Sequence, residues 1–252
     1  MTTNGQYESM NHNQVSIIIA CFNEEDTIQE CLRRIVQTMP DAEILVVHGG
    51  RDKTADRARE FGANYPNIRV FKHYGDSGKG HAIKTGITVA QHDLMVQFDA
   101  DLQFMPEETP KLLEPILQGK ADVVFGARFM KESNVENYRF SLFRVLGNRI
   151  VNGYFSLLTG RPMYDVTTGF KAWTRKAIED IDFRDNHFLY EGEIAVKCGR
   201  RGHKLAMVPV TYHNRMGGIS GHGSGAKETF SIIITGLRIL YFATLWRLGM
   251  KR

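Results

Sequence analysis

The stretch Leu94-Met95-Val96-Gln97-Phe98-Asp99-Ala100-Asp101-Leu102-Gln103 decides how this chain is read. Its first half is an apolar run of strand length, and its second half carries two carboxylates at the strand's end. Side chains two residues apart on extended backbone point to the same face. Two like charges on one face repel unless something cationic lies between them. A hard divalent cation would do so through carboxylate, carbonyl and water oxygens, and it would also hold a diphosphate. A bare Asp-x-Asp at a strand-end turn is common, so the motif needs its surroundings.

Outward from this point, strand and helix signals alternate. Val15 to Ala20 is a β-branched run, followed by the acidic helix start Asn23-Glu24-Glu25-Asp26. Ile28, Cys31, Leu32, Ile35 and Val36 then recur at helical spacing. Glu43 to Val47 reads as a strand ended by His48-Gly49-Gly50, Thr54 to Phe61 as a helix, and Ile68 to Phe71 as a third strand. Gly78 to Ala90 is a glycine turn running into a helix. The pattern predicts a parallel sheet with helices on both faces. Ligands of such sheets bind beyond the C-terminal strand ends, where Ala20–Glu24, His48–Arg51, the glycine turn and Asp99–Gln103 all fall.

The second half is less regular. Helices are expected over Pro106–Leu117, Tyr138–Leu158 and Phe188–Cys198, with strands over Val123–Gly126 and Leu205–Tyr212. Arg215 to Lys227 is rich in glycine and serine, as a mobile loop would be. Phe230 to Leu248 is apolar around most of its circumference, but Arg238 inside it would be costly at mid-bilayer. With Trp246, Arg247, Lys251 and Arg252 at its end, it is read as an amphipathic helix on a membrane surface. Packing on the domain and a dimer contact are the alternatives.

The 252 residues suit one sizeable domain, and the net charge of +4 suits phosphates or an anionic membrane surface. Aromatic and basic residues do not interleave as on a nucleic-acid surface, so that partner class is set aside. Cys21, Cys31 and Cys198 show no metal or pairing pattern, which points to reduced thiols in a cytosolic setting. Met1 to Asn13 is polar, lacks an apolar signal core and is expected to be a disordered leader. The expected organisation is therefore a leader over 1–13, one domain over 14–229 and the helix over 230–252.

These motifs, in this order, resemble family 2 glycosyltransferases of the GT-A fold, and within them the dolichyl-phosphate and polyprenyl-phosphate sugar synthases. Ile18 to Glu25 resembles the family's opening strand and Pro-x-Tyr-Asn-Glu turn, and Gly78-Lys79-Gly80-His81-Ala82-Ile83 its glycine turn. Asp99 to Gln103 with Pro106-Glu107 resembles its metal motif. Gly126-Ala127-Arg128 resembles Gly-Ser-Arg, Asp165 to Phe170 resembles Asp-x-Thr-Ser-Gly-Phe, and Arg215 with Gly218-Ile219-Ser220 resembles its late arginine loop. The resemblance spans about residues 15–230. It implies an α/β fold with a Rossmann-like, mostly parallel central sheet, helices on both faces and a C-terminal amphipathic helix.

It also implies an inverting transfer of a hexose from a nucleoside-diphosphate sugar to a polyprenyl phosphate, at the cytoplasmic face of a membrane. Asp101 and Gln103 would ligate Mg²⁺ or Mn²⁺, and Asp99 would bind ribose or metal-bound water. Ala20, Phe22, Asn23, Glu24, His48, Gly49, Lys79, Gly80, Ala100, Ser220 and Lys227 would line the donor. Arg128 and Arg215 would hold phosphate oxygens. Two departures stand out. His48-Gly49-Gly50 replaces an aspartate-bearing loop that reads the base, and Gly221 replaces a lysine, for which Lys227 is the candidate substitute. An ionised phosphate acceptor attacks without a base. A hydroxyl acceptor would need one of Asp165, Glu191 or Glu193. A soluble or protein-bound hydroxyl acceptor, and a non-catalytic nucleotide-sugar binder, are the alternative functions. A second copy or a membrane protein is a further possible partner.

Overall fold

In the computed structural model, residues 14–72, 78–136, 142–216 and 226–250 are described. The leader over 1–13, Ser220, most of the 215–227 loop and the side chain of Lys227 fall outside this set.

The first half alternates as its apolar periodicity demands. The elements are β1 (Val15–Cys21), α1 (Ile28–Thr38), β2 (Glu43–His48), α2 (Thr54–Gly62), β3 (Ile68–Lys72), α3 (Lys79–Val89) and β4 (Leu94–Asp99). A 3-10 turn (Pro106–Glu108) leads into α4 (Thr109–Leu117), followed by β5 (Val123–Ala127), β6 (Asn134–Val135), α5 (Leu142–Thr159) and β7 (Lys171–Thr174). The chain continues through α6 (Arg175–Ile181), α7 (Tyr190–Arg200), β8 (Leu205–Pro209), β9 (Thr211–Tyr212) and α8 (Ala226–Leu248).

Seven strands form one sheet in the order β3-β2-β1-β4-β7-β5-β8. Alternate residues of β1 enter opposite cores: Ile17 and Ile19 pack with Ile28, Leu32 and Leu112 on one face, and Ile18 packs with Ile83, Trp173 and Ile194 on the other. A strand buried on both faces is mostly apolar, which explains Ile17-Ile18-Ile19, and the buried Ser16 hydroxyl donates to Glu43. Strand order reverses direction between β1 and β4, which opens the crevice into which Cys21 and Asp99 lead.

The sheet is mostly parallel, as expected, with one strand reversed. β7 runs antiparallel to both β4 and β5. The chain enters β7 from the Asp165–Phe170 loop at the C-terminal edge of its neighbours, so it must run back. The expected strand over 205–212 is two pieces, and the second, β9, pairs with β6 in a separate small ladder.

α8 is not a free-standing appendage. Ile239, Ala243 and Trp246, spaced by four and three residues, are buried in the core shared with α5 and α7. Leu237, Tyr241 and Leu248 remain exposed on it, as do Leu142, Leu146, Ile150 and Leu157 on α5. Each of the two helices thus carries one buried and one exposed apolar stripe. No helix among the described residues is long and apolar enough to cross a membrane.

Candidate active site

β4 delivers Asp99 to the crevice beside Ala20 of β1, its partner in register. On the other side β7 pairs Gln97 with Lys171, and continuing that register sets Gly169 opposite Asp99. A Cβ on Gly169 would lie 1.8 Å from Asp99 Oδ2, so any side chain across from the acid would push its carboxylate out of this position.

Four charged groups meet on this face of the sheet. Lys79 Nζ donates to Asp99 Oδ2 at 2.8 Å and stands 3.6 Å from Glu191 Oε1. Lys171, fully buried, donates to the Thr168 carbonyl, lies 3.9 Å from Glu191 Oε1 and sits 4.7 Å from the Phe125 ring centroid. Burial opposes charge on Lys79, yet Asp99, Tyr190 and Glu191 outweigh it and its pKa ends well above the usual range. Lys171 has less compensation, and burial brings it down to about 8.

Asp101 lies beyond the strand, in the turn where Leu102 takes a positive φ of 57°. Its Oδ1 accepts from the Gln103 backbone at 3.1 Å. Burial, and next the neighbouring Asp99, push its carboxyl up to about 6. Gln103 Nε2 donates to the His213 carbonyl at 3.3 Å, and this tie brings Arg215 over the acids. Arg215 Nη1 stands 3.6 Å from Asp101 Oδ2, and its Nη2 bonds Glu24. Glu24 itself is pushed up to about 7 by burial, against the pull of Arg215.

The acid pair fits a hard divalent ion. Asp99 Oδ1 is buried and has no hydrogen-bond partner, and the charge repulsion at Asp101 is only partly quenched. No group of three or more His, Cys, Asp or Glu among the described residues could hold a metal alone. An ion here would therefore share its coordination with a ligand's oxygens.

Other expected positions are placed differently. His48 is fully buried, with Nε2 3.2 Å from Asp52 Oδ1, and is not presented to a nucleobase. Burial lowers its pKa despite the nearby Asp52 carboxylate. Asp52, not singled out by the sequence reading, organises that loop by accepting from Glu25 N at 3.0 Å and from Thr54 Oγ1 at 2.6 Å. Its signal was an aspartate two residues before a helix start. Phe22 is exposed at the crevice rim, and Asn23 (φ 57°) accepts from Arg51 N at 3.0 Å. Ala100 is buried, and Gly49 N donates to the Cys21 carbonyl at 3.0 Å.

The glycine turn is shaped by a neighbouring loop. Gly80 N donates to the His187 carbonyl at 3.2 Å, and a Cβ there would meet the Asp185 carbonyl at 2.4 Å. Its N–H is therefore committed within the protein. Asp165 is also committed. It is fully buried and grips Arg128 through both oxygens, Nε–Oδ2 at 2.7 Å and Nη2–Oδ1 at 2.8 Å. It therefore braces Arg128 and is not placed as a base. Of the two α7 acids, Glu191 lines the cavity, whereas Glu193 accepts from Arg184 N at 3.0 Å and pairs with Lys197 at 2.6 Å.

A cavity of about 380 Å³ joins these parts. Lys79, Asp99, Asp101, Gln103, Arg128 and Glu191 line one end. Gly147, Ile150 and Val151 of α5 with Gly236, Leu237 and Leu240 of α8 line the other. The sequence reading missed this second end because it depends on two helices, far apart in the chain, lying side by side.

The fold is shared with solved GT-A proteins. The glucosyl-3-phosphoglycerate synthase of Mycobacterium tuberculosis, solved with Mn²⁺, uridine diphosphate and phosphoglyceric acid, superposes with a TM-score of 0.68 at 19% identity, covering 95% of this chain and 80% of that one. The glycosyl transferase family 2 profile matches residues 16–182, and the chain belongs to that family. The dolichol-phosphate mannosyltransferase of Pyrococcus furiosus is 32% identical over 236 residues, which are 92% of this chain and 64% of the relative. The undecaprenyl-phosphate mannosyltransferase of Micrococcus luteus is 26% identical over 246 residues, 94% of this chain and 100% of the relative. The chain thus spans about two thirds of the Pyrococcus protein's length.

Proposed function

We propose that this chain is an inverting glycosyltransferase that moves a hexose from a nucleoside-diphosphate sugar to a polyprenyl phosphate. The carrying observation is the cavity whose one end is the acid pair and whose other end is a wall of α5 and α8 that is largely apolar, with Arg144, Asn148 and Thr235 among its lining. An acceptor with a charged head and a hydrocarbon tail matches that polarity. Relatives named for dolichol phosphate and undecaprenyl phosphate support the same acceptor class.

A phosphate monoester is already ionised at neutral pH, so its oxygen can attack the sugar's anomeric carbon without a base. The bond to the donor's β-phosphate oxygen breaks on the opposite side, and that electron pair leaves with the nucleoside diphosphate. Asp101, Gln103 and Asp99 would hold a Mg²⁺ or Mn²⁺ ion, which when bound neutralises charge on the departing diphosphate. Lys79 and Arg215 supply further positive charge there. Arg128, oriented by Asp165, lines the same cavity. The exposed apolar stripes of α5 and α8, with exposed Arg149 and Arg238 on the same helices, would seat the protein peripherally on an anionic membrane at its cytoplasmic face.

Glu191 on the cavity wall favours one second reading, a hydroxyl acceptor deprotonated by that carboxylate. The test is transfer from a panel of nucleotide sugars, with Mg²⁺ or Mn²⁺, to a short prenyl phosphate and to simple glycosides. The proposal expects prenyl-phosphate product. Glycosylated hydroxyls with no prenyl-phosphate product would overturn it in favour of the second reading.

A further inference from the structure

The acid pair is already attended by two of the chain's own cations. Lys79 holds Asp99 Oδ2 at 2.8 Å, and Arg215 stands 3.6 Å from Asp101 Oδ2 while bonded to Glu24. Neither contact is casual. Lys79 opens α3, whose first turn is pinned by Gly80 N to the His187 carbonyl at 3.2 Å and His81 N to the Asn186 carbonyl at 3.0 Å. Behind it, Glu191 and the buried Lys171 continue the alternation of charge. Arg215 is held over the acids by two Gln103–His213 ties, His213 N to the Gln103 carbonyl at 2.8 Å and Gln103 Nε2 to the His213 carbonyl at 3.3 Å.

A divalent ion at Asp99 and Asp101 would thus compete with two positive groups that already stand within 4 Å of the same carboxylates, and like charges repel. A diphosphate changes the balance, because its oxygens can take the ammonium and the guanidinium in charge-assisted bonds. We propose that Lys79 and Arg215 are built-in counter-ions that keep a divalent cation off the acid pair until a nucleoside diphosphate arrives to accept both of them. Cation and donor then bind as a unit, and Asp99 Oδ1, buried without a partner, is the oxygen left open for the ion. This rests on the metal–diphosphate part of the proposed function and is independent of the acceptor.

The experiment is titration of Mn²⁺ against the full chain, with free Mn²⁺ read by its electron paramagnetic resonance signal, in the absence and presence of a nucleoside diphosphate. Native protein should bind Mn²⁺ weakly alone and much more tightly with the nucleotide. Lys79→Met should bind Mn²⁺ alone about tenfold more tightly than native, and Lys79→Arg, which keeps the charge, should stay weak. Arg215→Met should shift in the same direction, and it carries the test if Lys79→Met loses its cooperative thermal transition. Equal Mn²⁺ affinity of native and both methionine variants would overturn the inference and leave the proposed function standing. Absence of Mn²⁺ binding to native protein even with nucleotide would overturn the metal reading itself.

Discussion

At the acid end of the cavity each carboxylate has a cation beside it, Lys79 at 2.8 Å from Asp99 and Arg215 at 3.6 Å from Asp101. At the α5–α8 end the wall is largely apolar, and the same helices turn Leu146 and Tyr241 outward. The acid end is built from strand termini and tight turns held by hydrogen bonds and ion pairs. The helical end is built from side-chain packing and open space, and an added Cβ on Gly147 or Gly236 would touch nothing within 4 Å. Geometry is exacting where charge is placed and permissive at the end where the proposed acceptor's hydrocarbon chain would fit.

The strongest way to break this comparison is at Asp101. Asp101→Ala should lower sugar transfer by about 10³-fold, because it removes electrostatic stabilisation of the leaving group, and Mn²⁺ titration should lose the nucleotide-dependent binding. An enzyme that turned over normally would mean that the acid end is not where the chemistry occurs. Gly169→Ala comes next. Its Cβ would start 1.8 Å from Asp99 Oδ2, and displacing that carboxylate by an ångström should cost about 10²-fold in kcat. Circular dichroism should show the sheet retained.

The helical end should respond differently. Gly147→Leu or Gly236→Leu should raise KM for a long prenyl phosphate about tenfold, with donor affinity unchanged and a shorter prenyl phosphate less affected. Equal loss with long and short acceptors would remove the distinction between the two ends. The smallest effect is in the pH dependence of stability. Burial raises the Glu24 carboxyl from 4.5 to about 7, so the folded chain holds this proton more tightly than the unfolded one. Its contribution is therefore fully present below about 4.5 and is lost as pH rises through about 7, by an amount on the order of 1 kcal/mol after solvent screening. Urea unfolding of native protein and Glu24→Gln at the two pH values should show the native-minus-variant stability difference falling as pH rises.

Much of the acid end was legible in the sequence, because local rules govern it. An apolar run ending in Asp99-Ala100-Asp101, a glycine turn and alternating strands are each readable within a few residues. The burial of His48 was not legible there, for a physical reason. Whether a strand-terminal side chain meets the ligand or the core depends on the next turn, and here Asp52 draws the imidazole inward. Asp165 likewise looked like a free acid until Arg128, 37 residues earlier, was found gripping both its oxygens. The antiparallel course of β7 has no local signature at all.

The sequence by itself determined the alternating α/β order, the buried strands and the two acids at the end of β4, since these follow from periodicity and from the cost of burying unpaired charge. Only the tertiary structure decided which groups attend those acids, how closely Gly169 faces the Asp99 carboxylate, and that α5 and α8 lie together to give the site a largely apolar end. Those features depend on contacts between segments distant in the chain, where register and packing, rather than local preference, set the distances.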